Sequence, residues 1–165
     1  MRFLLSLLVI AYSLFLNPQV LLAQVGPKGG GGTAAGALIS RITAEQLAGI
    51  LSQAGYPSQV RTQQNEKYVV SDMKGLTVNS ILYTCNNQGC LSFDLVVYAS
   101  DQLTTDFVNA WNDKKRFMKA SVDPSDGTLT LASTVVLSGG VSAENIKEYA
   151  RFYEAMLGVF AQFQP

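Results

Sequence analysis

From Ile146 onward, Tyr149, Ala150, Tyr153, Met156, Leu157, Phe160 and Phe163 recur three or four residues apart. That spacing draws one apolar stripe along a helix turning about 100° per residue. Phe152 and Val159 widen it to about half of the circumference, more than one sheet face needs. Two readings follow. The helix is buried on several sides, or its outer apolar edge meets a second subunit or partner, with Phe152, Val159 and Phe163 as the candidate interface residues. Ser142 caps this helix, Val141 and Ile146 staple its entry, and Glu144 sits near the positive end of its dipole.

The sheet that such a helix would cover is legible upstream. In 90–99, Leu91, Phe93, Leu95 and Val97 point one way, and Ser92, Asp94, Val96 and Tyr98 the other. One apolar and one mixed face is the pattern of an antiparallel sheet covered on one side. Further strands are expected at 67–73, 76–85, 117–123 and 128–137. Turns fall at 72–75 and at Asp123-Pro124-Ser125-Asp126-Gly127. Thr43, with Gln46 three residues on, reads as a capping box opening a first helix that Gly55 stops. Thr104 caps a second helix whose buried face holds Phe107, Val108 and Trp111. The fold class is therefore α/β (α+β): a twisted antiparallel sheet of about five strands with flanking helices, in the order α-β-β-β-α-β-β-α.

The N-terminus carries a different signal. Met1-Arg2 precedes about fourteen apolar residues, 3–16, fewer than the roughly 20 that a membrane span needs. Cleavage after Ala23 makes residues 1–23 a signal peptide and the product periplasmic or secreted, in a bacterial setting, with no stable membrane span left. An uncleaved anchor is the alternative. Residues 24–41 read as a Gly-rich flexible linker, and 42–165 as a single domain. A phosphate loop is excluded there, because Lys28 precedes the glycines and no strand precedes Lys28.

Composition removes several chemistries. There is no histidine, which excludes Ser-His-Asp triads, Cys-His pairs and His-ligated zinc. Lys+Arg and Asp+Glu both number 12, without the basic excess of a nucleic-acid binder. Lys114-Lys115-Arg116 reads as the solvated last turn of a helix. Cys85 and Cys90 flank Asn86-Asn87-Gln88-Gly89 at a hairpin tip, a geometry suited to a structural disulfide in an exported chain. Free thiols, a redox switch or a metal are the other readings of that pair. Asp123 and Asp126 are too few for a calcium loop and suit a turn. No metal and no cofactor is expected. Trp111-Asn112 could form a binding surface, but Trp111 falls on the apolar stripe and the Asn112 amide can bond the following turn.

Leu51 through Gly55-Tyr56, Cys90 with Phe93, Asn109-Ala110-Trp111-Asn112, Arg116-Phe117, Gly139-Gly140-Val141 and Phe160 together resemble the YbjN family over residues 43–163. Members of that family are labelled bacterial sensory transduction regulators. The resemblance implies a fold similar to type III secretion chaperones, commonly homodimeric. It implies structural roles for Trp111, Asn112, Arg116, Phe117, Gly139 and Gly140, and a binding module rather than an enzyme. The expected function is an exported, non-enzymatic module for a protein or peptide partner, with a homodimer in view and no nucleic acid. A small-molecule sensor signalling to a membrane partner is the alternative. An enzyme using carboxylates or tyrosines is the third reading. Export itself departs from the chaperones, which act in the cytoplasm.

Overall fold

A computed structural model describes residues 36–100 and 103–164. The expected signal peptide and most of the expected linker lie outside those residues. Helix α1 (Ala44–Gln53) opens on the expected capping box: the Gln46 amide donates to Thr43 Oγ1 at 3.2 Å and the Thr43 amide to Gln46 Oε1 at 3.0 Å. Strands β1 (Ser58–Gln63), β2 (Glu66–Met73), β3 (Leu76–Asn86) and β4 (Gly89–Ala99) follow as hairpins. Helix α2 (Thr105–Lys114), strands β5 (Lys119–Val122) and β6 (Leu129–Val136), and helix α3 (Ala143–Ala161) complete the domain.

The six strands pair antiparallel in the order β1-β2-β3-β4-β6-β5. The sheet has one strand more than the sequence pattern announces. Ser58–Gln63 offers only Val60 as an apolar residue and is mostly exposed. Its place rests on main-chain bonds to β2 and on the turn at Gln64 and Asn65, both at positive φ (49° and 66°), as a two-residue hairpin turn needs.

Phe93, Leu95 and Val97 of β4 join Val69, Val78, Leu131 and Val135 in one core with the apolar sides of the three helices. The opposite face carries Tyr83, Tyr98 and Val136, all exposed. Val96 lies on that open face yet is buried, shielded by Asn79 and Ala132 beside it in the register. Near the middle of α3, Tyr153 donates to the Leu131 carbonyl at 2.8 Å, and burial pushes its phenol well above the usual tyrosine range.

A polar link ties α3 to two loops. The Tyr56 hydroxyl donates to Glu154 Oε2 at 2.7 Å, and Lys74 pairs with the other carboxylate oxygen. Lys74, then Tyr56, hold the Glu154 carboxyl below its ordinary 4.5. Burial, then the Glu154 bond, lift Tyr56 to about 12. A depressed carboxyl stabilises the fold above its ordinary value, and that contribution is lost as pH falls through the lowered one. A raised phenol does the reverse: its contribution is present below 10.0 and lost as pH rises through about 12. Urea midpoints followed against pH are expected to fall on both sides. Glu154→Gln should flatten the acid limb below about pH 5; an unchanged acid limb would refute this role.

Candidate functional site

The corner between α2 and β5 is built from the core outward. Trp111 is fully buried, its ring edge-on to Phe160 at 4.8 Å and to Phe163 at 5.3 Å. Phe107 makes the same arrangement with both, at 5.7 and 5.4 Å. Trp111 Nε1 donates to the Met118 carbonyl at 2.9 Å. Asn112 bonds the next strand rather than the following turn. Its Nδ2 donates to the Ala120 carbonyl and its Oδ1 accepts from the Ala120 amide, both at 2.9 Å. Two successive residues of one helix end therefore clamp the backbone leading into β5.

Between clamp and helix the chain must turn sharply, and Phe117 takes that turn at φ 70°. Phe117 thus precedes β5 instead of opening it as the sequence pattern suggested. For a bulky residue this conformation costs about 1–3 kcal/mol and persists only where the surroundings impose it. Here the Ser133 hydroxyl donates to the Phe117 carbonyl, and the Tyr149 hydroxyl reaches Ser133 Oγ at 2.7 Å and donates to the Thr134 carbonyl at 3.0 Å. The ring is left 70% exposed, edge-on to Phe152 at 5.6 Å; Phe152 is itself 42% exposed.

Arg116, next to Phe117 in the chain, and Lys119 are exposed, whereas Lys114 and Lys115 carry their ammonium groups to the Phe163 ring, 5.6 and 6.0 Å from its centre. Among the described residues Arg116 is in no ion pair. A hollow of about 460 Å³ lies beside Phe117, lined also by Asn112, Lys115, Lys119, Ser133 and Thr134. Val159 lies two turns from Phe152 on α3, about 10.5 Å along the axis, and is 39% exposed. Phe163 is elsewhere, in the Trp111 cluster with Lys114 Nζ 5.6 Å from its ring centre. The structure therefore joins Phe152 to Phe117, which the helical stripe alone does not connect. Tyr149 and Ser133, which hold the corner, carried no signal beyond Tyr149's place on the stripe.

The disulfide is a second feature. Cys85 and Cys90 are bonded across the β3–β4 hairpin. Cys90 exchanges main-chain bonds with Ile42, at 3.0 and 2.8 Å, and Arg41 Nη1 donates to the Gly89 carbonyl at 3.0 Å. Ile39, within the expected linker, exchanges bonds with Val141, next to Gly139 and Gly140, which turn at φ 87° and 89°. Beside the hairpin tip is a hollow of about 620 Å³ reached by Tyr83, Cys85, Lys67 and Glu45. Asp123 and Asp126 serve their turn, accepting from the amides of Ser125 and Thr128 at 2.8 Å each. No helix among the described residues is long and apolar enough to cross a membrane.

The YbjN family model, described as "Putative bacterial sensory transduction regulator", matches residues 43–163. A solved structure is similar, the "Crystal structure of YbjN, a putative transcription regulator from E. coli". It superposes with a TM-score of 0.58 at 14% identity, over 75% of this chain and 91% of that one. At that identity the likeness is one of fold. No curated protein matches the sequence.

Proposed function

Because the chain belongs to the YbjN family, we propose that it is an exported, non-enzymatic regulatory module that captures a protein or peptide segment at the Phe117–Phe152 corner. The observation that carries this reading is Phe117: an exposed ring on a strained backbone, pinned from behind by Ser133. Strain kept at an exposed aromatic residue is better accounted for by recognition than by stability, since aromatic side chains dominate binding energy at interfaces. Arg116 and Lys119, both exposed beside Phe117 in the chain, favour a segment that combines an apolar side chain with carboxylates. Export is supported by the N-terminal sequence and by the disulfide.

Phe117→Gly tests the reading, because glycine accepts the same φ without strain. A photo-crosslinker placed at Phe152 should capture an envelope protein from cells, and Phe117→Gly should weaken that binding at least about tenfold, near 1.4 kcal/mol. The thermal midpoint should stay within a few degrees. Capture that is indifferent to Phe117→Gly would refute the site. The small-molecule alternative would use the hollow at the hairpin tip, whose volume suits such a ligand; Phe117→Gly would leave binding there unaltered.

A further inference from the structure

The two edges of the sheet are finished differently. In an antiparallel pair, residues alternate between bonding inward to the neighbouring strand and presenting their main-chain groups outward. At β5 the Asp123 amide donates to its opposite residue, Thr128, at 2.9 Å, so Lys119 and Ser121 bond inward to β6. Met118 and Ala120 then face outward, and these are the groups taken by Trp111 and Asn112. At β1 the Asp72 amide donates to Pro57 at 2.9 Å. By the same alternation Gln59, Arg61 and Gln63 bond inward to β2, and Ser58, Val60 and Thr62 face outward. Among the described residues nothing accepts or donates to those outward groups. Within β1 there is no proline, no lysine and no bulge, so of the devices that usually blunt an edge only the charge of Arg61 is present.

We infer that β1 is a strand-addition edge whose occupant is a second copy of this chain, paired antiparallel about a two-fold axis at Val60. In that register Val60 faces Val60, Ser58 faces Thr62, and outward groups meet outward groups. Charge selects it. Arg61 is the only charged residue of β1, and a register centred on Arg61 would set two guanidinium groups directly opposite, which is destabilising. Centred on Val60, each Arg61 meets Gln59 of the second copy, the same carboxamide that Arg61 Nη2 already reaches within one chain at 3.0 Å. The contact is isologous and closed, and it joins two sheets of six strands edge to edge. It does not depend on the aromatic corner at Phe117.

A single strand pair is small beside the roughly 1,200–2,000 Å² of a stable interface. The association is therefore best read by sedimentation equilibrium over a concentration series of the purified, oxidised chain. A reversible monomer–dimer equilibrium is expected. Thr62→Pro removes one outward amide per chain while sparing the β1–β2 ladder, and should raise the dimer dissociation constant at least about tenfold. Thr62→Val, which keeps the amide, should not. Gln59 is exposed, so its variants test the register without threatening the fold. Gln59→Lys should weaken the dimer and Gln59→Glu tighten it, each about threefold. Unchanged thermal midpoints for the Gln59 pair separate these effects from misfolding. A chain that stays monomeric throughout the series overturns the inference. So does a dimer indifferent to Thr62→Pro and Gln59→Lys, or one lost with Phe117→Gly.

Discussion

Trp111→Ala is expected to lower the unfolding free energy by about 3–5 kcal/mol, the cost of emptying a fully buried large aromatic site. For a domain of ordinary stability, about 5–15 kcal/mol, that is a fifth or more of the whole. Three losses coincide at this residue. The ring is the floor on which Phe160 and Phe163 pack edge-on, its Nε1 satisfies the Met118 carbonyl, and its helix end carries Asn112 onto Ala120. Trp111→Phe reduces them: it keeps an aromatic ring but removes the donor and part of the buried volume, so about 1–3 kcal/mol is expected from the orphaned carbonyl, with a smaller cavity cost added to it. Urea unfolding followed by circular dichroism measures both variants, since Trp111 is the only tryptophan and its fluorescence is lost with it. A Trp111→Ala protein within 1 kcal/mol of the parent would mean that the α2–β5 corner is not part of the cooperative core. A lesser effect would also weaken the case that Phe117 is held by a rigid frame.

Local rules made most of this fold legible in the sequence. Thr43 and Gln46 form the capping box that their spacing announces, because the interaction spans only three residues. The alternation in β4 places Phe93, Leu95 and Val97 in the core, because a strand's side-chain period is fixed by covalent geometry. Strand β1 escaped because its stabilisation comes from main-chain pairing and a turn, which leave almost no trace in side-chain hydrophobicity. The candidate site was legible only in its parts. Phe152 stood out on the helical stripe and Phe117 in a motif, but their meeting at 5.6 Å depends on a positive φ at Phe117. Positive φ is cheap to foresee at glycine and nearly invisible at phenylalanine. The Asn112–Ala120 clamp is hidden for a related reason: an amide that mimics a neighbouring strand has no periodic signature. Ile39 and Arg41 were masked by the glycines before them, whose composition speaks for flexibility up to the residue where pairing begins.

That pairing rests on one glycine. Gly89→Ala is expected to cost about 3 kcal/mol or more and to detach residues 39–42 from the domain. The φ of 119° at Gly89 is one that an L side chain rarely adopts, which alone costs about 1–3 kcal/mol. A Cβ there would lie 2.9 Å from the Ile42 carbonyl oxygen, 3.0 Å from its carbon and 3.1 Å from its nitrogen. Those are backbone atoms, tied by both main-chain bonds to Cys90, so they cannot yield by changing a rotamer. The segment must move away, and Ile42, fully buried, loses its place in the core with it. Hydrogen exchange measures the event directly: the Ile39, Ile42, Cys90 and Val141 amides, all engaged across this junction, should lose protection together. Retained protection at Ile42 and Cys90 would show that the segment is held by something other than the close approach at Gly89. Reduction of the Cys85–Cys90 bond offers an independent handle, worth about 2 kcal/mol for so short a loop. Both perturbations act on the same two bonds at Cys90. Their combined cost should therefore fall short of the sum of the two, because a segment already released by Gly89→Ala has little left to lose when the hairpin tip is loosened.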